Sequence, residues 1–171
     1  SGNYYILYSA AGDLTFYNGA IRAAMTIDGK FGIGLNYNTP SYPLDVDGDI
    51  NTTGNQRFTL HLVYGGNTPG IAAGAAACTT PTVSASGTDT AGLITVTTGT
   101  GCAATGTLAT VTFATAFGVA PRVVLTPGSA SATALAYYYD ASTISTTAFE
   151  LKSNTVPVDS TSYQYSYQVI Q

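Results

Sequence analysis

The run Tyr163-Gln164-Tyr165-Ser166-Tyr167-Gln168-Val169 alternates bulky and polar side chains without a break. A strict period of two places every second residue on one face of an extended strand. The same alternation recurs upstream. Ile94 and Val96 interleave with Thr95 and Thr97, and Ala109, Val111 and Phe113 interleave with Thr110 and Thr112. Val123 and Leu125 share a face, and Phe149 and Leu151 stand opposite Glu150 and Lys152. β-Branched and aromatic residues fill these runs, while Gly, Pro and Asn separate them. No stretch of 12 residues combines helical spacing with good helix formers. The chain reads as all-β.

Composition narrows the function. The chain has 171 residues, of which 45% are apolar and only 8% charged, against roughly 25% charged in a typical globular chain. It can therefore build a core. Five Lys/Arg against nine Asp/Glu leave a net charge of -4. No basic footprint for nucleic acid or an anionic membrane surface is present. Residues 90–121 hold one charge-free stretch after Asp89, but Thr and Gly interrupt each apolar run. The roughly 20 consecutive apolar residues of a membrane-spanning helix are missing, and no membrane insertion is expected. The start, Ser1-Gly2-Asn3-Tyr4-Tyr5, carries no signal-peptide pattern and reads as a cut or processed end.

Two halves differ in character. Residues 1–64 read as short strands at 4–8, 14–17, 20–27, 31–35, 43–50 and 56–64. Turns are expected at Ala11-Gly12-Asp13, Asn18-Gly19, Asp28-Gly29 and Asp47-Gly48, dipeptides that tolerate positive φ. Residues 65–82, rich in Gly, Ala, Thr and Pro, read as a linker. Residues 83–171 hold about six evenly spaced strands, the pattern of a small antiparallel β-sandwich. The first half lacks Cys and is small and Gly-rich. Such a segment rarely buries enough surface to fold alone. Sharing a core with identical chains solves the problem, and strands wrapped about an axis would form a shaft.

The segment Met25-Thr26-Ile27-Asp28-Gly29-Lys30-Phe31-Gly32-Ile33-Gly34, followed by Thr39-Pro40-Ser41-Tyr42-Pro43-Leu44-Asp45-Val46-Asp47-Gly48-Asp49-Ile50-Asn51, resembles the shaft motif of trimeric bacteriophage tail fibres and related surface fibres. The resemblance covers residues 13–57 and implies a homotrimer with a β-rich stalk. The Ser-Asp start of the self-cleaving chaperone that many members carry is not seen, so no protease activity is carried over. Further along, Gly92-Leu93-Ile94, Val111-Thr112-Phe113, Phe117-Gly118-Val119-Ala120-Pro121-Arg122-Val123-Val124 and Thr146-Thr147-Ala148-Phe149 are laid out in a way that resembles H-type lectin domains. Those are six-stranded sandwiches that trimerise and bind sugars. Their final strand usually carries a Trp, which this chain lacks.

Candidate residues are few. Cys78 and Cys102 are the only cysteines. They read either as a disulfide, which would close a loop worth roughly 3 kcal/mol, or as two unpaired thiols. Tyr137-Tyr138-Tyr139-Asp140 places Tyr137 and Tyr139 on one face of a strand. Tyrosine rings stack on sugars and a carboxylate accepts from their hydroxyls. Arg122 is positioned to pair with Asp140 or to touch the same ligand. The other reading has these tyrosines filling the core or a trimer seam, which is also the reading for Tyr163, Tyr165 and Tyr167. Asp45-Val46-Asp47-Gly48-Asp49 resembles the start of a calcium loop but lacks its closing Glu, and reads as solvated turn acids. His61 reads as a surface or interface residue, with an axial metal site in a trimer as the alternative.

No Ser-His-Asp set, spaced carboxylate pair or phosphate loop is visible. The expectation is therefore a protein that is not an enzyme and uses no cofactor or metal. It would be a homotrimeric tail-fibre or spike fragment, on a virion or extracellular, that attaches to a host-surface glycan. Two alternatives stay open: a structural decoration or filament subunit without ligand, and a cellular adhesin or secreted lectin.

Overall fold

The computed structural model describes residues 5–8, 12–17, 21–34, 39–48, 50–57, 59 and 63–171. His61, Asp49 and the Asn18-Gly19 turn lie outside the described residues. The chain divides into two compact units, Ser1–Leu60 and His61–Gln171. Both are built from strands, so the all-β class holds. Among the described residues no helix is long and apolar enough to cross a membrane.

The first unit is one five-stranded sheet. Its strands are β1 (Tyr5–Tyr8), β2 (Leu14–Tyr17), β3 (Ile21–Met25), β4 (Phe31–Ile33) and β5 (Leu44–Val46), paired in chain order. All pairs are antiparallel except β4 with β5. The Asp28-Gly29 turn forms as expected. Gly29 takes φ 82° and its N–H donates to the Thr26 carbonyl at 2.9 Å. Of the strand expected at 56–64, residues 56, 57, 59, 63 and 64 are irregular and exposed, and the rest lie outside the described residues.

The register sorts the side chains of this sheet. Ile6, Phe16, Ala23, Ile33 and Val46 form one cross-strand row, and Leu14, Met25, Phe31 and Leu44 form the next. Residues opposite each other across a ladder share a face, so one whole face is apolar. Within this unit no second layer of described residues packs on it. Ile6, Phe16, Met25, Ile33 and Leu44 are 41–64% exposed. The other face carries the small residues Thr15, Ala24 and Gly32, which are buried.

The second unit is a sandwich of two four-stranded antiparallel sheets. One runs in the order β10 (Arg122–Pro127), β13 (Ser162–Ile170), β8 (Ala91–Thr97), β7 (Thr82–Gly87). The other runs β11 (Tyr137–Tyr139), β12 (Ala148–Ser153), β9 (Gly106–Thr112), β6 (Gly70–Ala73). A short helix, α1 (Ala130–Ala134), is capped by Ser129, whose hydroxyl accepts from Ala132 N at 3.2 Å. The inward rows of both sheets make one core that includes Ile94, Val96, Val111, Phe149, Leu151, Tyr165 and Val169. A register shift between Leu151 and Lys152 lets Leu108 and Ala109 both turn inward.

The sandwich has eight strands where about six were expected: β7 to β13 make seven, and the stretch expected as a linker adds β6. Ile71 in β6 pairs with Val111, and a 3-10 turn (Ala75–Ala77) buries Ala76 and Ala77. The Gly and Ala content here reflects close packing. At Gly74, a Cβ would collide with the Thr107 carbonyl, and at Gly99, which faces this stretch, with the Thr79 carbonyl. Thr79 and Thr100 exchange both backbone hydrogen bonds at 3.1 Å, and beside them Cys78 is bonded to Cys102. The Asp159 carboxylate closes the same turn by accepting from Gly101 N at 2.9 Å and Cys102 N at 2.8 Å. These amides, Cys102 first, hold its pKa below the ordinary value.

The bridge closes 24 residues, so replacing Cys78 and Cys102 with Ser should cost about 3 kcal/mol. The sandwich's melting midpoint, followed by calorimetry, should fall by on the order of 10 °C.

The buried tyrosines of β13 differ in one respect. Tyr163 accepts from Val158 N at 2.9 Å, and the Tyr167 hydroxyl donates to the Thr88 carbonyl at 2.6 Å. The Tyr165 hydroxyl has no partner among the described residues. Burial, then the neighbouring Tyr163 and Tyr137, pushes its pKa up; burial and the Asp89 charge push Tyr167 to about 12. Tyr163→Phe and Tyr167→Phe should each cost about 1 kcal/mol, whereas Tyr165→Phe should be neutral or stabilising. Denaturant melts of the three variants check this.

Candidate functional site

β11 lies at the edge of its sheet against β12, and the pairing fixes where each tyrosine points. Tyr137 pairs with Ser153, Tyr138 with Lys152 and Tyr139 with Leu151. Ser153 and Leu151 are buried, so Tyr137 and Tyr139 share the inward face. Both pack against the core, and the Tyr137 ring lies 4.9 Å from that of Tyr165. Of the two readings of Tyr137 and Tyr139, this placement matches the one in which they fill the core. The tyrosine on the outer face is Tyr138, 37% exposed.

Tyr138 sits directly across the ladder from Lys152. The Lys152 ammonium donates to Asp140 Oδ2 and reaches Glu150 Oε2, each at 3.0 Å. Asp140 Oδ1 also accepts from the Ser142 hydroxyl at 2.6 Å and from Ser142 N at 3.0 Å. Asp140 thus pairs with Lys152, not with Arg122. Arg122 is exposed at the start of β10 and enters no ion pair among the described residues.

This cluster sets its own electrostatics. The Ser142 hydroxyl, then the Lys152 ammonium, holds the Asp140 carboxyl down to about 2. Asp140, then Glu150, pushes the Lys152 pKa above its ordinary value. Neither group changes protonation near neutral pH, so the cluster acts as fixed charges around an exposed aromatic ring. Lys152, Glu150 and Tyr138 were not singled out from sequence. The signal was present: with Phe149 and Leu151 inward, alternation sends Glu150 and Lys152 outward.

A second concave region lies at one end of the sandwich, where Gly65, Asp89, Phe117 and Gln171 meet around a cavity of about 300 Å³. In the first unit, Asp45 sits within β5 rather than in a turn, and its Oδ2 accepts from Ser41 N at 3.0 Å. Among the described residues no three His, Cys, Asp or Glu side chains are grouped as a metal ion would require. No family model, curated protein or solved structure matches the chain.

The depressed Asp140 pKa gives a signed pH dependence. Its ordinary value is 3.8 and its folded value about 2. The stabilisation is complete above 3.8 and fades as pH falls toward 2. In a carboxyl NMR titration, Lys152→Ala should move the Asp140 midpoint upward yet leave it below 3.8, because the Ser142 bonds remain.

Proposed function

We propose that this chain is part of a homotrimeric attachment protein of the bacteriophage tail-fibre kind, located on a virion or outside the cell. Residues 1–64 form the shaft, and the β-sandwich is the head that recognises a glycan on a host surface. The observation that carries this reading is the uncovered apolar face of the β1–β5 sheet. A sheet with one apolar face needs a second layer. Three chains that turn this face toward a common axis supply that layer to one another.

Magnitudes favour it. Burying a Leu, Ile, Phe or Met side chain contributes about 1.5–3 kcal/mol. Five such residues per chain, each about half exposed, therefore supply about 4–8 kcal/mol per chain, a large share of the stability of a domain. The number three rests on the resemblance of residues 13–57 to fibre shafts. The Cys78–Cys102 bridge suits an oxidising, extracellular setting. Three heads on one stalk multiply weak sugar contacts into avidity.

One observation favours a structural role without ligand. The outer face of the β10–β13–β8–β7 sheet presents Val124, Thr126, Ser166, Gln168 and Thr95, and Arg122 alone carries charge there. Such a face suits side-by-side packing of copies.

Light scattering should give a mass near three chains of 17.5 kDa each. Phe16→Asp with Met25→Asp should reduce the mass to one chain while the head melts unchanged, and binding to a glycan array should weaken with the loss of valency. A wild-type monomer would sink the trimer. A trimer that binds no glycan on the array would favour the structural role.

A further inference from the structure

The end of the sandwich where three loops converge holds a cavity of about 300 Å³, the lower end of the range for small-molecule sites at roughly 300–1,000 Å³. Its polar lining comes from four places in the chain. Asn67 precedes β6, Asp89 and Thr90 form the β7–β8 turn, Thr115 and Phe117 follow β9, and Gln171 follows β13.

The lining is held in place before any ligand arrives. Asp89 Oδ1 accepts from Ala114 N and Oδ2 from Thr115 N, both at 2.8 Å. The β7–β8 turn is thereby tied to the loop after β9. Thr88 N donates to Ala91 O at 2.9 Å, Val169 N donates to Thr90 O at 2.8 Å, and the Tyr167 hydroxyl grips Thr88 from below. Gln171 Oε1 accepts from Gly118 N at 2.9 Å. The Phe117 ring meets Phe113 edge-on at 4.7 Å and packs on the core.

The remaining bonding capacity defines the ligand. A carboxylate offers about four acceptor positions, and backbone amides occupy two on Asp89. Gln171 keeps its Nε2 donors, and Asn67 and the hydroxyls of Thr90 and Thr115 make no side-chain hydrogen bond among the described residues. Asp89 is the one charged residue of the lining, and no Lys or Arg faces it there. A phosphate, sulfate or carboxylated sugar would meet an uncompensated negative charge. A divalent cation would find one carboxylate where a calcium site gathers six to eight oxygens. The donors and acceptors left over match a neutral pyranose, whose adjacent hydroxyls can donate to Asp89 and accept from Gln171 and Asn67, with Phe117 as the apolar part of the lining.

We propose that this cavity binds a single neutral hexose unit, with Asp89 as the principal acceptor. The idea locates the glycan contact of the head and so rests on the attachment reading for its biological role. The binding chemistry stands apart from trimer formation.

The test uses the full chain and backbone amide NMR, with methyl glycosides of galactose, mannose and N-acetylglucosamine as neutral probes and the methyl glycoside of N-acetylneuraminic acid as the acidic one. At least one neutral probe should shift the amides of Asn67, Asp89, Thr90 and Ala114–Gly118, and the acidic probe should not. Asp89→Asn should weaken binding by about tenfold or more, since it removes charge-assisted bonds. Asn67→Ala, an exposed change that leaves the anchoring bonds of Asp89 intact, should weaken it by about fivefold. Shifts centred on Tyr138, no shifts with any neutral probe, or affinity unchanged in both variants would overturn the assignment. If Asp89→Asn still binds a glycan array, the cavity is wrong and attachment stands; if a monomer shows the expected shifts, the trimer is wrong and the cavity stands.

Discussion

An apolar sheet face has to be covered, and the two units meet that constraint differently. In the sandwich, each sheet covers the other. Ile94, Val96, Tyr165 and Tyr167 on one side meet Val111, Phe149 and Leu151 on the other. In the first unit, nine apolar residues line up in two cross-strand rows on one sheet, and nothing described within the unit lies over them. Among the described residues its buried apolar side chains are Ala24 and Pro40. Hydrophobic burial dominates folding, so the contrast lies in how much apolar surface each unit keeps from water.

Much of this was legible in the sequence, because alternation is written directly into β-structure. Tyr163 to Val169 gave β13 its inward row, and Phe149-Glu150-Leu151-Lys152 gave β12 both its faces. The stretch 65–82 was not legible. Gly70-Ile71-Ala72-Ala73 has the composition of a flexible connector, yet it pairs with β9. Small residues mark either freedom or close approach, and local sequence does not say which. The collision awaiting a Cβ at Gly99 depends on Thr79, a neighbour in space supplied by a different strand region.

The tyrosine triplet shows a related limit. A period of two says that Tyr137 and Tyr139 share a face but not which face is inside. That is decided by pairing with Ser153 and Leu151, which no local pattern predicts. Asp140 was visible as an acid beside aromatics, but its partner is Lys152, twelve residues on, because the hairpin folds back. The lining of the end cavity was harder still. Asn67, Asp89, Phe117 and Gln171 come from four separate segments, and only the closed sandwich brings them together.

The placement of Lys152 has a consequence for resistance to proteolysis. Trypsin-like proteases cut after Lys or Arg and need an extended stretch of backbone to thread through their cleft. From residue 63 onward the chain offers them two such points, Arg122 and Lys152. The first opens β10; the second lies inside β12, flanked on both sides by hydrogen-bonded strands, its ammonium clasped by two carboxylates. Cutting there requires pulling a central strand out of its sheet, so digestion is tied to rare opening of the head. With few basic residues in this unit, such a protease has few places to cut, and Lys152 is the one set within a central strand.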